Sequence, residues 1–232
     1  MKNADPALVP LKKLAAERAV AEVEDKMVLG LGSGSTAALM LEALAKRVAG
    51  GLSVVGIPTS EETAALAKRL GIPLTGFNHH RRIDLTLDGA DQIEMNTLNL
   101  VKGLGGALLR EKIVAEASTR MVVMADATKL VPQLGAATPL PVEITTFGRE
   151  VVIERLAAVS GDCALRQTGG GPFVTNGGNY IVDCRFEAIP DAVRLQAQLK
   201  MITGVVETGL FVALASHAII GRESGVQILE RR

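Results

Sequence analysis

The 232-residue sequence predicts an α/β fold, with a Rossmann-like parallel sheet domain and a smaller inserted α+β domain. Three observations carry that expectation. Short apolar segments alternate with helical ones through the first 125 residues, as do the strands and crossover helices of a parallel sheet. Several of the apolar segments run into glycine- or aspartate-rich loops, at the strand ends where such sheets bind ligands. Beyond Pro132 the segments shorten and Gly-rich or Asn-Gly turns separate them, a pattern of antiparallel pairing.

Taken in order, Leu11, Leu14, Ala15 and Arg18 open a helical pattern that runs to about Glu24. Met27 to Leu31 is a short apolar strand. Gly32-Ser33-Gly34-Ser35 turns the chain into an Ala- and Leu-rich helix from Thr36 to Arg47. Ser53 to Ile57 is the next strand, and Thr59-Ser60-Glu61-Glu62 has capping-box spacing for a helix to about Leu70. Ile83 to Leu87 follows as a strand, then a helix from about Ala107 to Ala117 and a strand from Met121 to Ala125.

The second block starts with the strand Pro141 to Thr145 and a helix near Arg149 to Ala158. Cys163 to Gln167, Pro172 to Thr175 and Tyr180 to Cys184 read as strands, and a helix from about Ala192 to Lys200 closes the block. The apolar pieces after Val205 return to the first sheet. The expected division is therefore 1–130 with 205–232 as the first domain and 131–204 as the second.

Composition narrows the function. Twenty-five basic and twenty-five acidic side chains cancel, so no global positive field gathers nucleic acid or anionic membrane. With no Trp, one Tyr and five Phe, stacking platforms for single-stranded bases are scarce. Twenty-four glycines point instead to a small polar ligand held largely by backbone. Cys163 and Cys184 are too few and too far apart in sequence for a disulfide framework or zinc knuckle, and the expected location is the cytoplasm. No signal-peptide pattern or membrane-length apolar run is present.

Gly30-Leu31-Gly32-Ser33-Gly34-Ser35-Thr36 sits at a strand-to-helix passage, where N–H groups and the helix dipole favour a phosphate. A dinucleotide fingerprint would place glycine at Ser35 and an acid about 20 residues on, and a nucleotide P-loop would need Lys before its Ser or Thr. Neither pattern fits. The remaining readings are an anion site or a tight turn capped by Ser. Asp88-Gly89-Ala90-Asp91 is either ordinary turn chemistry or a carboxylate pair for sugar hydroxyls and proton transfer. Lys102-Gly103-Leu104-Gly105-Gly106 sets a cation before a mobile backbone. Glu111 has apolar helical neighbours in Ala107, Leu108, Val114 and Ala115, which predicts desolvation and a raised pKa suited to a general base. The alternative is a solvated member of Arg110-Glu111-Lys112. Lys129 follows a strand end and either binds phosphate or caps the sheet. His79, His80 and His217 lack metal-ligand spacing, so no metal is expected.

Four stretches in this order resemble the ribose-5-phosphate isomerase family of the A type: Gly30 to Ala37, Leu87 to Ile93, Lys102 to Val114 and Ala125 to Lys129. Weaker matches at Pro139 to Glu143, Thr175 to Asp183 and Gly204 to Phe211 extend the resemblance over nearly the whole chain. It implies cofactor-free interconversion of D-ribose 5-phosphate and D-ribulose 5-phosphate in the non-oxidative pentose phosphate pathway. By the same resemblance Glu111 moves the proton, and Asp88, Asp91 and Lys102 are active-site residues. Ser33, Gly34, Ser35, Thr36, Gly89, Ala90, Gly103, Leu104, Gly105 and Lys129 match substrate-binding positions. If the loop at 33–36 holds the phosphate, Lys12 or Lys129 is expected to assist there. Two departures are Ser33, where the family often has Thr, and Leu104, where it often has Gly. The partner expected is a phosphorylated pentose, with no nucleic acid or membrane, and the assembly a homodimer or homotetramer. The alternatives are a non-catalytic sugar-phosphate sensor and an acyl- or CoA-transferase using Glu111 as nucleophile.

Overall fold

A computed structural model describes residues 5–136 and 138–231, which divide into two compact units. The first comprises residues up to Ala90, Arg110–Lys129 and the chain from Ala213 onward; the second comprises Asp91–Leu109 and Leu130–Val212.

The first unit is built on a six-stranded sheet. Its order is Gly225–Glu230, His217–Arg222, Ser118–Asp126, Ile83–Gly89, Val28–Leu31, Val55–Pro58. Every neighbouring pair is parallel except the hairpin of the last two strands in the chain. Helices Val9–Val20, Ser35–Ala49 and Glu61–Arg69, with most of Leu108–Glu116, complete this unit. Leu29, Leu31, Leu41, Leu44, Leu85, Leu87, Val122 and Met124 are among its fully buried core side chains.

Two glycines allow close approach. A Cβ on Gly30 would lie 1.9 Å from Thr86 Oγ1 and 2.6 Å from Val114 Cγ1, while one on Gly221 would lie 1.9 Å from the Leu11 carbonyl oxygen. The bare backbone therefore lets helix Val9–Val20 press onto the strand His217–Arg222. The helix at 61 starts one residue later than the capping-box spacing implies: Ser60 is the N-cap, and its Oγ accepts from Thr63 N–H at 3.1 Å.

The second unit holds a fully antiparallel sheet ordered Val205–Thr208, Leu140–Ile144, Tyr180–Arg185, Asp162–Leu165, with helices Arg149–Ser160 and Ala192–Lys200. A smaller sheet joins Leu210–Phe211, Leu100–Val101, Gln92–Glu94 and Leu130–Val131. Val101, Leu134, Leu140, Val142, Leu156, Val182, Leu199 and Leu210 form one buried cluster.

The observed division departs from the expected one at two places. Residues 91–109 cluster with the second unit because their short strands pair with each other, with Leu130–Val131 and with Leu210–Phe211. Residues 205–212 do so because Val205–Thr208 pairs with Leu140–Ile144, and only the chain from Ala213 returns to the first sheet. The predicted strand at 172–175 is a two-residue piece, Gly171–Pro172, paired to Gln167–Thr168, since Gly169 and Gly170 at positive φ make a tight hairpin turn.

The cysteines, distant in sequence, are direct cross-strand partners, with their Sγ atoms 2.7 Å apart. Their hydrogen bond lowers the Cys163 thiol pKa from its ordinary value, and the same bond, together with burial, raises that of Cys184.

Candidate active site

In a parallel sheet the loops after the strands share one edge, and in the first unit that edge carries Ser33–Thr36, Asp88–Ala90 and Lys129. Gly34 is the N-cap of helix Ser35–Ala49, with φ +91° and no capping side chain, so Ser does not cap this helix. The first-turn N–H groups are left for a ligand or water. Ser33 is fastened behind them. Its N–H donates to Asp88 Oδ1 at 3.1 Å, and its Oγ lies 2.7 Å from Thr59 Oγ1, 2.9 Å from Ser60 Oγ and 3.2 Å from Thr63 Oγ1. These hydroxyls grip the turn as well, Thr59 donating to the Leu31 carbonyl and Thr63 to that of Gly32.

Asp88 is fully buried, and its Oδ1 also accepts from the Gly89 N–H at 2.7 Å. Gly32 makes room for it, since a Cβ there would lie 2.2 Å from Asp88 Oδ1. A Cβ on Gly89 would stand 3.9 Å from Thr36 Cβ, which makes the two loops neighbours. Lys12, 7% exposed, reaches Ser35 Oγ with its Nζ at 3.3 Å.

Glu111 lies in the first turn of helix Leu108–Glu116 and is only 5% exposed, so the reading as a solvated member of a charge run does not hold. Arg110 beside it points elsewhere, to Glu61 at 2.8 Å. The helix leads into the start of strand Ser118–Asp126, so its first turn lies toward the opposite, ligand-bearing edge of the sheet. Lys129 ends a single helical turn, Ala127–Lys129, after that strand and is half-buried. The turn is fixed by buried Asp126, whose Oδ1 accepts from the Thr128 N–H and hydroxyl.

In the second unit, Asp91 Oδ2 accepts from the Leu104 N–H at 2.9 Å, and Lys102 is 3% exposed with its Nζ 5.4 Å from the Phe211 ring centroid. The Lys102 N–H donates to the Gly209 carbonyl at 2.8 Å, and a Cβ on Gly209 would meet the Lys102 carbonyl oxygen at 2.3 Å. After Lys102 the chain makes a turn closed by Gly106 N–H to Gly103 O at 2.9 Å, with Gly103 at φ +104° and Gly106 at φ +84°. Leu104 does not adopt a positive φ, so its side chain strains nothing there. Gly105 is exposed.

Some polar supports were not evident from sequence. The Thr59, Ser60 and Thr63 hydroxyls resemble ordinary helix-capping residues until the sheet brings Ser33 to them. Arg166 is a lone cation in the strand expected over 163–167, yet it falls between two strands and its guanidinium holds Asp183 and the carbonyls of Gly103 and Leu104. Among the described residues no group of three His, Cys, Asp or Glu side chains gathers as a metal site would require, and no helix is long and apolar enough to cross a membrane.

Sequence and fold both resemble those of one known family. The model of the family described as ribose 5-phosphate isomerase A (phosphoriboisomerase A) matches residues 55–225. The chain is 52% identical over 219 residues to ribose-5-phosphate isomerase A of Gloeobacter violaceus, covering 94% of this chain and 95% of the relative. It is 50% identical over 226 residues to the protein of that name from Agrobacterium fabrum, covering 95% and 97%. Among solved structures, the ribose 5-phosphate isomerase A of Methanocaldococcus jannaschii superposes with a TM-score of 0.92 at 40% identity, over 97% of this chain and 100% of that one. The Plasmodium falciparum enzyme gives 0.92 at 42% identity over 97% and 99%.

Proposed function

Because the chain belongs to the ribose 5-phosphate isomerase A family, we propose that it interconverts D-ribose 5-phosphate and D-ribulose 5-phosphate through an enediolate. Substrate and product are isomers, so the reaction balances without a redox cofactor. The observation that carries the mechanism is the burial of Glu111 in the first turn of its helix.

Glu111 takes the proton from C2 of the open-chain aldose and returns it to C1, one carboxylate serving both steps. As the proton leaves, negative charge develops on the neighbouring oxygen. Lys102 and the backbone N–H groups at Gly103, Leu104 and Gly105 are the donors proposed to stabilise it. Asp88 and Asp91 assist ring opening and exchange of the hydroxyl proton between O1 and O2. The phosphate binds at Gly34, Ser35 and Thr36 on the uncapped helix end, with Ser33 fixing the turn and Lys12 and Lys129 adding positive charge. The Lys12 bond to Ser35 supports that reading. Gly89 and Ala90 line the neighbouring loop.

The enzyme acts in the non-oxidative pentose phosphate pathway, in the cytoplasm, on a small phosphorylated sugar and not on nucleic acid or membrane. A homodimer or homotetramer is the proposed assembly, supported by Phe147, Val193 and Met201, which are 92%, 62% and 84% exposed in the second unit. Light scattering of a monomer at all concentrations would count against it.

The decisive experiment is incubation with ribose 5-phosphate in heavy water. Ribulose 5-phosphate carrying deuterium at the exchanging carbon is expected; a sensor or a transferase would yield neither. Glu111→Gln is expected to lower kcat by about 10³-fold, within the range of positioned acid–base groups, while a phosphorylated sugar analogue still binds. Unchanged turnover would remove Glu111 as the base.

A further inference from the structure

Arg166 lies between strands Asp162–Leu165 and Gln167–Thr168, its backbone N–H donating to Ile181 O at 2.8 Å. Its side chain is used almost completely. Nε donates to Asp183 Oδ2 at 2.8 Å and Nη2 donates to Asp183 Oδ1, a two-pronged pairing that sets the plane of the guanidinium. Nη1 donates at 3.0 Å to both the Gly103 carbonyl and the Leu104 carbonyl. The plane also lies over Phe173, 5.8 Å from the ring centroid, and a Cβ on Gly106 would meet Phe173 Cζ at 2.3 Å. Phe173 thus packs beneath the end of the turn that Arg166 holds from its carbonyl side.

Peptide planarity turns this grip into an orientation. In a trans peptide the C=O of one residue and the N–H of the next point in opposite directions. With the Gly103 carbonyl on Arg166, the Leu104 N–H faces the other way, and it donates to Asp91. With the Leu104 carbonyl on Arg166, the Gly105 N–H also faces away from the guanidinium. Gly105 is exposed, and its absent Cβ would have nothing within 4 Å.

We propose that Arg166, locked by Asp183, is a positioning residue for the isomerisation: it fixes the Gly103–Gly106 turn so that the Gly105 N–H is preset to donate to the substrate oxygen on which charge develops. This rests on the reading above that the Lys102–Gly105 segment stabilises that oxygen. A preset donor adds more in the transition state than in the ground state, because no reorientation is needed when charge appears. Lys at position 166 keeps the charge but loses the planar fork, so it cannot hold a carboxylate and two carbonyls in one geometry.

The test compares Arg166→Gln, Arg166→Lys and Asp183→Asn with the unmodified enzyme, and Lys102→Gln as a control. Four quantities are measured: kcat, KM for ribose 5-phosphate, affinity for a four-carbon phosphorylated aldonate whose carboxylate mimics the enediolate, and affinity for a five-carbon polyol phosphate without a carbonyl. Arg166→Gln is expected to lower kcat by about 10²-fold, the loss typical of one oxyanion donor, and to weaken the aldonate by a similar factor. KM and polyol phosphate affinity should stay within threefold. Arg166→Lys and Asp183→Asn should show smaller losses with the same split, which keeps the test decisive if Arg166→Gln folds poorly.

Unaltered kcat in all three variants, or losses that strike the polyol phosphate and the aldonate alike, would overturn the proposal. If Lys102→Gln also keeps full kcat and aldonate affinity, the underlying reading of the segment fails. If Lys102→Gln is impaired while the Arg166 and Asp183 variants are not, only the role of Arg166 falls.

Discussion

In the first unit the loop Ser33–Thr36 is held by short groups that are themselves buried: Asp88 takes the Ser33 N–H, and three hydroxyls surround Ser33 Oγ. In the second unit the turn Gly103–Gly106 is held through its carbonyls by one long side chain, Arg166, with Asp91 taking an N–H on the other side. The first arrangement leaves helix N–H groups exposed without fine aim, which suits a phosphate with several equivalent oxygens. The second aims individual peptide planes, which suits a single oxygen whose charge changes during reaction. On this contrast, damage to the first loop should fall on KM or stability, and damage to the second on kcat.

The largest effect is expected in the second loop. Lys102→Gln should lower kcat by about 10²-fold or more with little change in KM, as removal of an oxyanion donor does, and steady-state kinetics would show it. A KM effect alone would erase the contrast. Next, Thr36→Glu places a negative charge at the helix end proposed to bind the phosphate. A like charge at 4 Å costs about 1–4 kcal/mol depending on screening, so KM should rise about fivefold or more while ribose without phosphate binds as before. Gly32→Ala should cost about 1–3 kcal/mol of stability, seen as a lowered Tm, because its Cβ would meet Asp88 at 2.2 Å. A Tm equal to that of the unmodified protein would show that the buried support of the first loop is pliable.

The smallest effect is a chemical one on Asp162–Leu165, the strand paired with the one that carries Asp183. Since the Cys184 thiol lowers the pKa of Cys163, alkylation of Cys163 should proceed at a lower pH than for an ordinary thiol. Cys184→Ala should shift that pH profile upward, without changing kcat.

The same contrast decides what could be read from sequence. Gly30 to Thr36 was legible because its chemistry is that of the backbone, and the glycines mark where the chain must turn or approach. The burial of Glu111 was legible from its apolar helical neighbours, and the side chain is buried. Arg166 was not, because its value depends on Asp183 across a strand pair and on a turn 62 residues earlier, and no local pattern encodes either. The boundary between the units was misread for a similar reason. Leu100–Val101 and Val205–Thr208 are short, and their sheet is chosen by partners far away in the chain. The parallel strands, each bounded by its own turn, suffered no such ambiguity.

The chain passes between the units four times, at 90/91, 109/110, 129/130 and 212/213. During synthesis the second unit stays unfinished until Leu210–Phe211 emerges to pair with Leu100–Val101, and the first lacks its last two strands until His217–Arg222 and Gly225–Glu230 follow. Neither unit is a contiguous stretch that a gene could gain or lose by itself. A single recombination within residues 145–204 would split the second unit's antiparallel sheet between two parents, so the pair is inherited as one piece.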